Sequence, residues 1–193
     1  MSWAFVAFLL PTASAHAQSF ELGVNLVGSH WSEFKGGDTG IGMRLGWKPV
    51  AVVGLEAEVN WYPGDFPEGT VPFSDRRVEG LMAVTVGPKL GVFRPFVRLG
   101  TGRLRLAPAS SLVACIAIFP PPLSCLLADG ETLPTLEIGG GLEVALPGPA
   151  FLRFDAGDRA LKYPGPTLSG GTRQDEAFIG HAVRFLLGGG LRF

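Results

Sequence analysis

From Phe20 onward, apolar residues alternate with polar or small ones at a period of two, in eight separate runs. That period marks strands with one apolar face. Phe20, Leu22, Val24 and Leu26 alternate with Glu21, Gly23, Asn25 and Val27. Ile41, Met43, Leu45 and Trp47 alternate with Gly42, Arg44, Gly46 and Lys48. Val53, Leu55, Ala57, Val59 and Trp61 alternate with Gly54, Glu56, Glu58 and Asn60. A fourth run, Val78 to Leu90, is apolar on both parities, but Glu79 and Lys89 share one while Met82, Val84 and Val86 share the other. The fifth, Phe93 to Leu106, sets Pro95, Val97 and Leu99 against Arg94, Phe96, Arg98, Gly100 and Gly102. The sixth sets Leu136, Ile138, Leu142 and Val144 against Glu137, Gly139, Gly141 and Glu143. The seventh opposes Leu152, Phe154 and Ala156 to Arg153, Asp155 and Gly157. The last, Ile179 to Phe193, opposes Val183, Phe185, Leu187, Leu191 and Phe193 to Arg184, Gly188, Gly190 and Arg192.

The links between these runs are unequal in a regular way. Tight turns are expected at Lys48–Ala51, Gly91–Val92 and Pro147–Pro149, and long links at Ser32–Thr39, Pro63–Arg77, Ala107–Thr132 and Pro164–Ala177. Alternating short and long connections are what an up-and-down transmembrane barrel shows, turns at one end and loops at the other. The faces agree with this. A soluble barrel of lipocalin type turns its apolar face inward and covers the outside with polar side chains. Here the second face carries charges and glycine, which suits the crowded interior of a narrow eight-stranded barrel. In lipid, closure also satisfies every strand amide and carbonyl, which an open sheet cannot do. The fold class expected is all-β, an eight-stranded antiparallel up-and-down transmembrane β-barrel.

Composition narrows the picture further. The mean hydropathy is +0.30, and only 17% of the 193 residues are charged. A helical membrane protein would need runs of about 18 or more apolar residues, and only the N-terminus approaches one. The formal net charge of −1 implies no polyanion and no nucleic acid partner. Trp3 to Leu10 is an apolar block, followed by Pro11 and by Ala15-His16-Ala17, the pattern of a cleavable secretory signal. The expected organisation is a signal peptide at 1–17, cut between Ala17 and Gln18, and a barrel domain at 18–193. Export places Cys115 and Cys125 in an oxidising compartment, where a disulfide between them is expected.

With these features the chain resembles the small eight-stranded outer-membrane β-barrels, over essentially the whole of 18–193. The sharpest element is the C-terminus, where Gly188, Leu191 and Phe193 fit the pattern by which such precursors are recognised for assembly, although Leu186 stands where that pattern prefers a polar residue. The resemblance implies an outer-membrane location, contact with outer-membrane lipid and lipopolysaccharide, and engagement with the barrel assembly machinery during biogenesis.

Function has to be read from sites. The inward parity carries Arg44, Glu56, Glu58, Glu79, Arg98, Glu137, Glu143, Arg153, Asp155 and Arg184, close to a balance of signs, so a lumen closed by ion pairs is expected rather than an open pore. A hairpin centred near Val50 would place Leu45 opposite Leu55 and Arg44 opposite Glu56. One centred on Gly148 would place Glu143 opposite Arg153. The histidines of 18–193 are His30 and His181, neither beside a nucleophile and acid, so no enzymatic activity, metal or cofactor is expected. Trp31, Trp47, Trp61, Tyr62 and Tyr163 fall near strand ends, where aromatic rings favour the membrane boundary. Arg103 and Arg105 are expected at the outer headgroups. Leu112, Val113, Ile116, Ile118, Phe119, Leu123, Leu126 and Leu127 surround a Pro120–Pro122 run in the third long link. That segment, 107–132, either folds over the barrel mouth or presents a surface to an external protein or hydrophobic ligand. The reading favoured is a structural or surface-interaction barrel, and the alternative is a passive channel for small hydrophobic solutes. A lipid-modifying enzyme is disfavoured because no catalytic cluster is visible.

Overall fold

A computed structural model describes residues 18–34, 36–64, 76–108 and 118–193. The expected signal segment, with its cleavage point after Ala17, lies outside the described residues, as do Leu112, Val113, Cys115 and Ile116. Eight long strands form the barrel: β1 (Ser19–Trp31), β2 (Gly36–Val50), β3 (Val53–Tyr62), β4 (Arg77–Val86), β5 (Phe93–Leu106), β6 (Thr132–Ala145), β7 (Ala150–Tyr163) and β10 (Phe178–Arg192). A short helix, α1 (Leu123–Ala128), interrupts the β5–β6 link. A small hairpin, β8 (Thr167–Ser169) with β9 (Thr172–Gln174), interrupts the β7–β10 link. No helix among the described residues is long and apolar enough to cross a membrane.

The barrel strands are antiparallel and close in the ring β1-β10-β7-β6-β5-β4-β3-β2. Each strand pairs with its neighbour in sequence, and β1 pairs with β10 from Glu21 opposite Arg192 to Trp31 opposite Ala182. Phe20 and Phe193 complete this seam by exchanging both backbone hydrogen bonds, at 3.1 and 2.8 Å. The closed ring leaves none of its eight strands as an edge to template aggregation.

Burial follows the expected parity on every strand. Val24, Met43, Val59, Met82, Val97, Ile138, Phe154 and Leu187 point outward and are each at least 49% exposed. Arg44, Glu58, Glu79, Arg98, Glu137, Arg153 and Arg184 point inward and are no more than 4% exposed. An apolar outside around a charged inside is the inverse of a soluble barrel, and it is the arrangement a hydrocarbon surround stabilises.

The links depart from expectation at two places. The β1–β2 link is only residues 32–35, because the ladder runs on through Gly36–Thr39. Glycines at Gly36, Gly37 and Gly40 supply no apolar side chain, so the alternation fades before the strand does. β4 stops at Val86, short of Leu90. There the Gly87 amide donates to the Val52 carbonyl (2.9 Å), and Pro88 has no amide to continue a ladder. A Cβ on Gly87 would stand 2.0 Å from the Pro95 carbonyl oxygen, so only glycine fits this crossing.

The β2–β3 register also differs from the expected one. Leu45 is opposite Ala57 and Arg44 is opposite Glu58, rather than Leu55 and Glu56. The turn falls later, at Ala51 and Val52, and an irregularity between Trp47 and Val50 places an extra residue in β2. Bulges of this kind re-aim side chains and raise local twist. The β6–β7 register has Glu143 opposite Arg153, as the turn at Gly148 implies.

Candidate functional site

The candidate site is the lumen, which the inward parity fills with charge. Among the described residues, eight basic side chains are buried (Arg44, Lys48, Arg77, Arg94, Arg98, Arg153, Arg159, Arg184). Eight acidic ones accompany them (Glu21, Asp38, Glu56, Glu58, Glu79, Glu137, Glu143, Asp155). Unpaired, such charges are strongly disfavoured in a poorly hydrated interior. Most are paired, in three levels.

At the end carrying the short turns, Lys48 Nζ donates to Glu21 Oε1 (2.5 Å) and to both carboxylate oxygens of Glu143 (3.0 Å). Arg192 donates to the same two carboxylates, through Nε to Glu21 at 2.7 Å and through Nη2 to Glu143. At mid-height, Arg153 grips Glu56 on one side and Asp155 on the other, with Nη2 at 2.9 Å from each. Arg98 reaches Glu58 (2.9 Å), Glu137 (3.4 Å) and Asp155 (3.4 Å). Arg184 donates to both Glu58 and Glu137. At the end carrying the longer loops, Arg77 holds Asp38 in a bidentate pair at 2.9 and 3.0 Å. There Glu79 accepts from Arg159, Asn60 (3.2 Å) and Tyr62 (3.0 Å).

Some of these contacts, such as Arg153–Asp155 and Arg192–Glu21, run along the wall, and others cross the lumen. In the ring of eight, β7 lies diametrically opposite β3, and β2 lies opposite β6. The Arg153–Glu56 and Lys48–Glu143 pairs are therefore full diameters at two heights. Glu143 and Arg153 are neighbours in the β6–β7 ladder, yet each turns its charge to partners elsewhere. Arg44 makes no ion pair with Glu56 or Glu58; its guanidinium lies over the Phe151 ring at 5.6 Å, on the far wall. Glycine makes room for the crossing side chains. A Cβ on Gly42 would stand 2.0 Å from Asn60 Oδ1 and 2.5 Å from Asn25 Nδ2, the two amides that bond to each other at 3.0 Å.

Several lumen residues lie outside the set read from the sequence: Glu21, Asp38, Lys48, Arg77, Arg94, Arg159 and Arg192. Parity marks each of them, but Asp38, Arg77 and Arg159 sit on stretches where the apolar alternation had already faded.

The aromatic residues divide. Trp61 and Trp47 face outward, as a boundary belt requires. Trp31, Tyr62 and Tyr163 are inside, each 1% exposed. They share the parity of Glu21, Glu58 and Arg159, and burial is tolerable for Trp31 and Tyr62 because their polar atoms find partners. The Trp31 indole nitrogen donates to Ser29 Oγ (3.1 Å), and Arg159 lies over its ring. These three rings join Leu104, Leu106, Leu133 and Leu161 in an apolar cluster across the loop-end mouth, and α1 closes it with Leu123, Leu127 and Ala128. The third link thus folds part of its apolar content over the mouth, while Ile118 and Phe119 remain exposed. Cys125, on α1, is disulfide-bonded.

Outside the barrel, His181 Nδ1 lies 2.7 Å from Asp158 Oδ2. Ser32 Oγ donates to the His181 backbone carbonyl (2.7 Å) and not to its ring, so the three do not form a nucleophile–base–acid relay. His30 is exposed. Among the described residues, no group of three or more His, Cys, Asp or Glu could hold a metal ion. Arg103 and Arg105 are exposed on the outer face of β5 near the loops, and Leu191 and Phe193 face outward at the opposite end.

Neither a protein-family model nor a curated protein matches the sequence. Solved structures do match. Neisserial surface protein A is 13% identical, with a TM-score of 0.56 over 92% of this chain and 100% of that one. The outer membrane protein OprG of Pseudomonas aeruginosa is 13% identical, with a TM-score of 0.54 over 92% and 96%. The N-terminal β-barrel domain of OprF from the same organism is 14% identical, with a TM-score of 0.52 over 90% and 97%. The likeness is one of fold: this chain has the closed eight-stranded architecture of the small outer-membrane β-barrels.

Proposed function

We propose that the protein is an integral outer-membrane barrel with a structural or surface-interaction role, whose lumen is a plug and not a conduit. The carrying observation is the pair of full-diameter ion pairs, Arg153–Glu56 and Lys48–Glu143, at two heights. A side chain bridging opposite walls at each of two levels obstructs an aqueous path along the lumen, which supports the plug reading. The apolar cap over the loop end, anchored by Leu123 and Leu127, supports the same reading. The turns would face the periplasm and the loops the exterior, where the exposed Ile118 and Phe119 offer a contact surface to an external protein or hydrophobic ligand. Arg103 and Arg105 would stand among lipopolysaccharide phosphates. An enzymatic role draws no support from the exterior His181–Asp158 pair, which lacks a nucleophile.

Planar-bilayer recording tests the plug. The wild-type barrel is expected to pass little or no steady current. Arg153→Ala and Glu56→Ala each remove one end of a diameter and are expected to raise conductance while lowering thermal stability. A large steady wild-type conductance, unchanged by either substitution, would overturn the reading in favour of a channel.

A further inference from the structure

The turn end carries one cation too many for its carboxylates. Glu21 and Glu143 are both engaged by Lys48 and by Arg192. Arg94, which projects inward from the start of β5 over the Phe96 ring, shares Glu143 only at long range. It is 4% exposed, its Nε, Nη1 and Nη2 have no hydrogen-bond partner, and its ion pair with Glu143, at 4.0 Å, is too long for a hydrogen bond. A buried guanidinium whose three nitrogens all lack a hydrogen-bond acceptor is costly, and such a group calls for one.

Arg94 lines a pocket of about 170 Å³ that opens at the turn end, and Lys89, from the β4–β5 turn, and Arg192 line the same pocket. Lys48 lies at its wall, so four cations line a pocket to which Glu143, already engaged by Lys48 and Arg192, supplies the carboxylate. The volume is well below that of sites for drug-sized ligands, roughly 300 Å³ and more. The planar guanidinium fork suits a tetrahedral oxyanion, and a partly dehydrated setting strengthens its charge-assisted hydrogen bonds.

We propose that this pocket binds a phosphate group, with Arg94 as its principal donor and Lys89 and Arg192 at the rim. The phosphate can come from free phosphate or from the headgroup of a phospholipid in the adjoining leaflet, and only the second source rests on the membrane orientation proposed above. Binding neutralises the surplus cation and ties the β4–β5 turn to the lumen network.

Purified barrel in phosphate-free, non-ionic detergent is titrated with inorganic phosphate, followed by calorimetry, and its thermal midpoint is compared in nanodiscs of phosphatidylglycerol and of phosphate-free glycolipid. Saturable phosphate binding is expected, weakened about tenfold or more by Arg94→Leu and unchanged by Arg103→Ala at the opposite end. Saturable binding of free phosphate alone identifies a soluble anion. A midpoint raised by phosphatidylglycerol and lost in Arg94→Leu identifies the headgroup. If Arg94→Leu fails to assemble, Lys89→Glu in the exposed turn decides, since reversing a rim charge must weaken binding severalfold. Absence of a response to both probes, or equal affinity in the assembled variants, overturns the site. Ordinary hydration of Arg94 would give that result, and it would leave the plug untouched.

Discussion

At the scale of single residues, the lumen is organised around carboxylates shared between guanidiniums. Glu58 is the clearest, accepting from both Arg98 and Arg184 while fully enclosed. Removing one partner from a buried ion pair costs about 3–5 kcal/mol, because the remaining charge stays buried without compensation. Glu58→Leu is expected to destabilise the barrel by about that amount, read as a lower urea midpoint in phospholipid vesicles. Lys162→Ala, on an exposed outer position of β7, should stay within about 0.5 kcal/mol of wild type. Which residues face inward was legible from the sequence, since a period of two leaves a strand no third option. Which residue pairs with which was not. Arg153 reaches Glu56 across the full lumen rather than Glu143 beside it, and such diameters depend on strand tilt and stagger, which no single hairpin register encodes. The β2–β3 register itself escaped because β2 holds one extra residue between Trp47 and Val50, a bulge that period-two alternation does not reveal.

At the scale of elements, the barrel strands and the cap differ in how they are specified. The strands announce themselves by alternation, whereas α1 has only six residues, too few for a 3.6-residue period to show and far too few to be stable alone. It forms because Leu123 and Leu127 enter the cluster of Trp31, Tyr62, Leu104 and Leu161, with the Leu126 amide closing the first turn onto the Pro122 carbonyl at 3.1 Å. Tertiary packing holds the helix, so weakening that packing should free the loop without opening the barrel. Leu123→Ser combined with Leu127→Ser is expected to accelerate proteolytic cleavage within 107–131 while the heat-dependent gel shift of the folded barrel persists. Reductant, by opening the disulfide of Cys125, should act in the same direction. Equal cleavage rates in wild type and the double variant would show that the cap is not held by these leucines.

At the scale of the whole molecule, the outer wall defines a slab. On β5 the outward side chains are apolar from Phe93 to Leu99 and then become Thr101, Arg103 and Arg105; on β10 they are apolar from Leu191 back to Val183 and then reach His181. His30, Asp158 and Lys162 mark the same limit on β1 and β7. These stretches span seven residues on β5 and nine on β10, close to the roughly nine to eleven of one tilted crossing of a bilayer core. If lipid covers this wall, the cost of an introduced charge must depend on depth, about 2–4 kcal/mol for arginine at the midplane and near 0–1 kcal/mol at the boundary. Phe185, 51% exposed near the centre of the β10 stretch, and Ile179, 63% exposed beyond its loop-side limit, make the comparison on a single strand. Phe185→Arg is expected to lower unfolding free energy in vesicles by the larger amount and Ile179→Arg by the smaller. In a soluble protein, exposed sites of similar accessibility would tolerate both about equally, since surface substitutions away from specific contacts change stability little. Equal, small effects at the two positions would therefore remove lipid from the outside of this barrel. A steep difference would fix the height at which it sits in the membrane.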